Sequence, residues 1–140
     1  MTPRALIERA AQARRNAYTP YSHFAVGAAL LCPDGEVFTG CNLENASYSP
    51  TMCAERVAFG TALAAGHRAF TAIAIVGGDC DQQADSACFP CGVCRQVMRE
   101  FCTDDFPIYL FDGEGIVTYT LGQLLPHSFT LEDDNHHAHD

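Results

Sequence analysis

Three cysteines in two distant parts of the chain constrain its fold more than any other feature. Cys53 lies two residues before Glu55, and Cys91 and Cys94 follow Pro90 well downstream. Structural zinc sites are closed by four protein ligands, whereas catalytic zinc usually has three and leaves a fourth position for water. If the three thiols bind one ion, the fold must bring both segments together. Glu55 would then be placed to move the protons of that water, which indicates a hydrolytic zinc site.

The apolar pattern along the chain predicts an α/β layered domain. Helices are predicted over 3–16, 52–65 and 90–101, and strands over 24–32, 37–42, 69–76, 107–111 and 116–120. In chain order this gives a helix, two strands, a helix, a strand, a helix and two strands, with a mixed sheet of about five strands. We expect one domain over 1–131, followed by an acidic, histidine-containing disordered tail over 132–140.

This pattern places all three cysteines at the starts of helices. Cys53 is predicted in the first turn of the second helix, and Cys91 and Cys94 in the first turn of the third. Residues three apart on a helix share a face, so Cys91 and Cys94 can bind one ion. Helix N-termini also stabilise thiolates. Gly77 and Gly78 are predicted to form a turn at the end of the preceding strand.

Two other interpretations of the cysteines remain open from spacing alone. A Cys-x-x-Cys pair also occurs in thioredoxin-like redox sites. It is equally typical of structural zinc sites, which need a fourth ligand, and Cys88 is the nearby thiol that could provide one. The presence of Cys53 and Glu55 favours catalytic zinc over both.

Composition narrows the class of protein. The chain has 140 residues, 48% of them apolar, and a net charge of -9. Such an acidic chain is a poor candidate for binding a polynucleotide, because phosphates would be repelled. No apolar run reaches the ~20 residues that cross a bilayer, and the N-terminus lacks the apolar segment of a signal peptide. Eight cysteines in a chain with an ample core then favour reduced thiols and a cytoplasmic location over disulfides.

Five segments carry a resemblance to a known family, and they are Phe24–Leu30, Gly40–Tyr48, Cys53–Arg56, Pro90–Gln96 and Leu124–Phe129. Together they resemble the cytidine deaminases, specifically the small homotetrameric kind with a three-cysteine zinc site. The resemblance covers nearly the whole chain and keeps the order of the family's motifs. It implies the three-layer α/β/α cytidine deaminase-like fold.

The resemblance implies a reaction and a role for each residue of the metal site. The family converts cytidine and 2′-deoxycytidine to uridine and 2′-deoxyuridine plus ammonia, in pyrimidine salvage. One Zn²⁺ per chain would be held by Cys53, Cys91 and Cys94, and zinc-bound hydroxide would attack C4 with Glu55 as proton shuttle. Three thiolates leave surplus negative charge on the zinc, and Arg56 would reduce it by hydrogen-bonding the sulfurs.

The resemblance also implies the substrate-binding residues. Asn42 and Glu44, two apart on an extended segment, would bind the ribose 3′-hydroxyl of a free nucleoside. The ring of Phe24, which by itself is typical of a core residue, would stack on the pyrimidine. Ala54 would also contact the substrate. Tyr48 and Phe129 match positions that complete a neighbouring subunit's pocket, so a homotetramer is implied.

Two further hypotheses remain beside this one. A related deaminase of cytosine-bearing antibiotics such as blasticidin S would share the zinc site, although Asn42, Glu44 and the Leu124–Phe129 segment disfavour it. A zinc-stabilised module without catalytic activity is the third. Activity on a cytosine compound separates the enzymes from the module.

Overall fold

A five-stranded mixed sheet forms the centre of the computed structural model, which describes residues 1–131. The predicted tail over 132–140 lies outside the described residues. All eight predicted elements are present, and one short helix is additional. The helices are α1 (Pro3–Ala13, continued by a 3₁₀ turn over Arg14–Asn16), α2 (Ala54–Ala64), α3 (Gly92–Phe101) and α4 (Leu121–Leu124). The strands are β1 (Phe24–Leu31), β2 (Val37–Cys41), β3 (Ala72–Asp79), β4 (Pro107–Phe111) and β5 (Ile116–Thr120).

The strand directions bring the starts of α2 and α3 to one edge of the sheet. The strand order is β2-β1-β3-β4-β5, and β1 is antiparallel to both β2 and β3. Strands β2 and β3 therefore run in the same direction and end at the same edge. The segment after β2 leads to α2 and the segment after β3 leads to α3. The convergence that the three cysteines require is thus a consequence of topology.

Helices cover both faces of the sheet, as the three-layer prediction requires. Successive strand residues point to opposite faces. One face of β1 and β3 packs with α2 and α3 through Leu30, Ile75, Phe59 and Met98, all at most 1% exposed. The opposite face packs against α1 through small and branched side chains, which are Leu6, Ile7, Ala10, Ala29, Ala72, Ala74 and Val76.

Glycine at position 40 allows the first turn of α2 to lie close to β2. A Cβ atom there would come within 2.4 Å of the Ala54 carbonyl oxygen and 2.6 Å of the Ala58 nitrogen. Real Cβ atoms do not approach backbone so closely, so any larger residue would push the helix start away from the sheet. Gly40 therefore helps to fix the position of Cys53, which directly precedes α2.

The structure corrects several predictions from the sequence. Gly77 and Gly78 belong to β3 and pair with Val26 and Ala25, so the predicted turn there is wrong. A Cβ on Gly77 would meet the Cys88 sulfur at 2.7 Å, which explains glycine within this strand. Helix α3 begins at Gly92 rather than at Pro90.

The third correction is α4, which the sequence prediction omitted. A capping box starts it, in which the Thr120 hydroxyl accepts from the Gln123 N–H and the Gln123 side chain accepts from the Thr120 N–H. None of the helices within residues 1–131 is long and apolar enough to cross a membrane.

Candidate metal centre and active site

The sulfurs of Cys53, Cys91 and Cys94 meet at the edge where β2 and β3 end. The Cys53 and Cys91 sulfurs are 3.7 Å apart, and the Cys91 and Cys94 sulfurs are 3.5 Å apart. All three sulfurs lie within 4.8 Å of one another. Cys94 is buried, whereas Cys91 is exposed, so one side of the cluster is open to solvent.

These separations fit a tetrahedral zinc ion. Zinc–sulfur bonds of about 2.3 Å at tetrahedral angles place the sulfurs about 3.8 Å apart. Cys88, the nearby thiol considered as a fourth ligand, does not belong to the cluster. Its sulfur lies against Gly77, and burial together with the Glu55 and Cys53 charges raises the pKa of Cys88 to about 11. The three-thiol set therefore leaves a fourth coordination position open, as in catalytic sites.

Helices α2 and α3 each begin two residues later than predicted, so two of the thiols lie at the N-cap rather than in the first helical turn. Cys53 caps α2 and Cys91 caps α3, both with extended backbone dihedrals and without a side-chain capping hydrogen bond. Contact with the Cys94 thiol is the main reason that the pKa of Cys53 falls to about 5, and Arg56 and Cys91 lower it further against the effect of burial. Cys53 is therefore suited to bind a cation as a thiolate.

Glu55 is a buried carboxyl beside this cluster, in the first turn of α2. Only 4% of the Glu55 surface is exposed to solvent. Burial is the main cause that raises the pKa of Glu55 to about 7, and the nearby Cys53 charge adds to it. A carboxyl group that titrates near neutral pH can both accept and return a proton.

Arg56 joins the metal cluster to the loop before it. Its Nη2 atom donates to the Cys53 sulfur at 3.4 Å and to the Thr51 carbonyl at 3.3 Å. The hydrogen bond to Cys53 is the main cause that raises the pKa of Arg56, and its positive charge lies against a sulfur. The structure therefore contains a hydrogen bond from the Arg56 guanidinium to the sulfur of a candidate zinc ligand, Cys53, as the sequence led us to expect.

Asn42 and Glu44 lie just after β2, and each holds backbone of a neighbouring segment. The Asn42 amide accepts from the Val26 N–H and donates to the Phe24 carbonyl, both at 2.9 Å. Glu44 accepts from the N–H groups of Tyr21 and Ser22 and from the Ser22 hydroxyl. An amide has two N–H donors and a carboxylate about four acceptor positions, so each side chain retains capacity for a ligand.

The Ser22 hydrogen bonds are the main reason that the pKa of Glu44 lies below its usual value. Glu44 is therefore held as a carboxylate in a fixed position. It lines a pocket of about 460 Å³, and none of the three cysteines belongs to the lining, which comprises Tyr21, Ser22, Glu44, Tyr48 and Thr51. This pocket therefore contains the candidate sugar-binding residue Glu44 but not the three cysteines.

The remaining predicted substrate residues differ sharply in exposure. Ala54 is completely buried at the start of α2, and Phe24 is 38% exposed at the start of β1, beside Gly77. Tyr48 is 73% exposed and Phe129 is 67% exposed. Both aromatic rings are therefore accessible to another molecule.

Two residues that support the site were not identified from the sequence. Ser22 positions Glu44, as described above. Arg95, directly after Cys94, donates to the carbonyls of Pro90 at 2.7 Å and Leu124 at 2.6 Å. It thereby connects the segment before Cys91 to the chain that leads to Phe129. The position of Arg95 next to a candidate zinc ligand was the only hint in the sequence. Its hydrogen-bond acceptors are backbone carbonyls, and these cannot be identified from sequence alone.

Known proteins of one family resemble this chain over most of its length. Residues 2–110 match the family model described as the cytidine and deoxycytidylate deaminase zinc-binding region. A cytidine deaminase from Halalkalibacterium halodurans is 50% identical over 131 residues, covering 93% of this chain and 96% of that protein. The solved structure of cytidine deaminase from Burkholderia pseudomallei is 49% identical, covers 92% of this chain and 100% of that one, and superposes with a TM-score of 0.84.

A blasticidin-S deaminase from Bacillus cereus is also similar, at 29% identity over 128 residues, covering 89% of this chain and 90% of that protein. Its sequence identity to this chain is therefore about 20 percentage points lower than that of the Halalkalibacterium halodurans cytidine deaminase, which is 50% identical. This difference agrees with the sequence-based preference for a nucleoside over an antibiotic substrate.

Proposed function

The chain belongs to the cytidine and deoxycytidylate deaminase family of zinc-dependent hydrolases, and we propose that it deaminates cytidine and 2′-deoxycytidine to uridine and 2′-deoxyuridine with release of ammonia. The observation that carries the proposal is the pairing of an open three-thiol cluster with the buried carboxyl of Glu55. A structural zinc module needs four ligands and no such carboxyl.

Cys53, Cys91 and Cys94 are the residues that would hold the zinc. When bound there, zinc would act as a Lewis acid and lower the pKa of a water molecule. Glu55 would take a proton from that water and deliver protons to N3 of the cytosine ring and to the departing amine. A carboxyl with a pKa of about 7 is suited to both transfers, because it is a comparable acid and base at neutral pH.

Arg56 would balance the charge of the thiol cluster. Three thiolates carry more negative charge than the divalent ion neutralises. The hydrogen bond from Nη2 to the Cys53 sulfur would draw part of that charge away from the metal. The same group also donates to the Thr51 carbonyl, which would keep the guanidinium in place.

The sugar and the base would be bound by residues at the edge near β1 and β2. The remaining N–H of Asn42 and the remaining lone pair of Glu44 would contact the ribose 3′-hydroxyl, and Phe24 would stack on the pyrimidine. Glu44 is held as a carboxylate by Ser22, so a phosphate beside it would be repelled. This favours a free nucleoside over a nucleotide.

A substrate panel tests the proposed function directly. We expect loss of ultraviolet absorbance and release of ammonia with cytidine and 2′-deoxycytidine, and much slower turnover of cytidine 5′-monophosphate and blasticidin S. Metal-loaded protein should be compared with protein treated with a chelator. Preference for blasticidin S would favour the antibiotic hypothesis, and inactivity on every cytosine compound would favour the zinc-stabilised module.

A homotetramer is the proposed assembly, with each active site completed by neighbouring subunits. The exposed rings of Tyr48 and Phe129 support this, as does the open pocket that contains Glu44. The Gln96 side chain donates to the Phe129 carbonyl at 3.2 Å, so the segment that carries this ring is attached to α3. A cytoplasmic role in pyrimidine salvage is the corresponding biological proposal, since reduced thiols are required at the metal site.

Subunit mixing tests the shared pocket. Phe129→Ala is expected to lower kcat/KM about tenfold or more, which corresponds to about 1.4 kcal/mol of lost contact. Glu55→Gln should be inactive by itself. If Phe129 acts in a neighbour's site, mixed assemblies of the two variants should contain restored sites and show more activity than the sum of the separate variants. Mixing without gain, or a fully active monomer on a sizing column, would contradict the proposal.

A further inference from the structure

A second group of metal-ligating side chains lies at the turn between β1 and β2. It comprises Cys32, Asp34 and His67, whose ligand atoms all lie within 4.8 Å of one another. Glu36 joins it, because its carboxylate is 2.8 Å from the His67 Nε2 atom. Cys32, Asp34 and Glu36 come from the hairpin turn, and His67 follows the end of α2. The four residues therefore connect two separate elements, and none of them belongs to the candidate active site.

The surrounding structure fixes the backbone of the turn and the position of the imidazole. The Gly35 N–H donates to the Cys32 carbonyl, and the Cys32 N–H donates to the Glu36 carbonyl, both at 2.9 Å. The Asp34 carboxylate accepts from the Glu36 N–H at 3.0 Å. The His67 ring packs edge-on against Phe38, with ring centres 4.9 Å apart. The group is therefore formed by a tight turn and a packed imidazole before any ligand binds.

Among the described residues, Asp34 and Glu36 have no ion-pair partner other than the His67 imidazole. Asp34 and Glu36 both approach the same Nε2 atom of His67, at 3.2 and 2.8 Å. One imidazole nitrogen carries at most one proton, so even a charged histidine balances only one of the two carboxylates. The Nδ1 atom of His67 is buried and has no hydrogen-bond partner within residues 1–131. A divalent cation would neutralise both carboxylates at once.

We propose that Cys32, Asp34, Glu36 and His67 form a second zinc site, separate from the three-cysteine cluster. A thiol, an imidazole and two carboxylates are ligands that zinc accepts in tetrahedral sites, with separations between ligand atoms of about 3.3 to 3.8 Å. The carboxylates are more than half exposed, so small side-chain rotations bring their oxygens to these distances. Cys32, at 1% exposed, provides the rigid interior ligand.

Such a site would fasten the end of α2 to the β1–β2 hairpin. Zinc bound there stabilises the folded chain, because the unfolded chain does not hold the four ligands together. The proposal does not depend on the substrate or on the deaminase reaction. Its test therefore uses metal content and thermal stability as readouts.

Zinc titration of the full-length protein, followed by native mass spectrometry, tests the site. We expect a second zinc ion per chain after the first position is filled, together with a further rise of Tm. Asp34→Asn with Glu36→Gln, and separately His67→Ala, should each bind a single zinc ion, lose the further rise of Tm and retain deaminase activity. The paired carboxylate variant changes exposed side chains only, so a folding defect is not expected.

Two controls locate the second ion. Cys91→Ala should disrupt the first position and leave the second ion bound. Replacing His136, His137 and His139 by alanine should not change the second binding event, because these histidines lie in the tail. Loss of the second ion in the tail variant, its retention in both hairpin variants, or a single zinc ion in saturated wild type would each overturn the proposal.

Discussion

Glu55→Gln is expected to lower kcat for cytidine by about 10³-fold, within the range that general acid–base catalysis contributes. Glutamine has nearly the same shape as glutamate, but it can neither take up nor release a proton at neutral pH. The buried position of Glu55 at the start of α2 suits this replacement, because a neutral amide is easier to bury than a carboxylate. The zinc content and KM should stay close to the wild-type values.

Steady-state kinetics and metal analysis on the same preparation check this result. Glu100→Gln is the matched control, since Glu100 is an exposed glutamate on α3. It should leave kcat unchanged. Equal turnover in Glu55→Gln and wild type would exclude the proton-transfer role. Loss of zinc from Glu55→Gln would instead assign Glu55 a role in holding the metal.

The parts of the fold that depend on local pattern could be predicted from the sequence. The eight principal elements and the mixed sheet follow from apolar periodicity and turn residues, and the comparison with solved structures confirms the fold class. The metal cluster could also be predicted, because Cys91 and Cys94 share a helix start and Cys53 precedes another. Zinc as the cofactor is supported by the family match as well as by the sulfur geometry.

Features that depend on tertiary contact could not be predicted in this way. The two glycines in β3 look like a turn in sequence, but strand pairing with Ala25 and Val26 and the approach of Cys88 make them part of the sheet. The Ser22 contacts to Glu44 join segments that are 22 residues apart. Such contacts become visible only when the sheet brings the segments together.

The metal cluster itself provides the second large expected effect. Cys91→Ala is expected to abolish detectable activity and to remove zinc, because two remaining thiols do not hold the ion in a tetrahedral site. The stability that zinc adds by binding to the three-cysteine cluster should also disappear, which is about 3 kcal/mol when free zinc is about 100 times the dissociation constant of that cluster. Activity, zinc content and Tm with and without added zinc are the measurements.

Cys88→Ala is the matched control for Cys91→Ala, and the pair decides between an open and a closed site. Cys88 lies close enough to Cys53 to be affected by its charge but is outside the three-sulfur cluster, and burial is the main cause that raises the pKa of its thiol to about 11. If the site has three protein ligands, Cys88→Ala should retain zinc and most of the activity. Loss of zinc from Cys88→Ala would indicate a fourth sulfur ligand. The zinc ion would then have no open coordination position for water. Because the hydrolytic mechanism requires such a position, this result would contradict it.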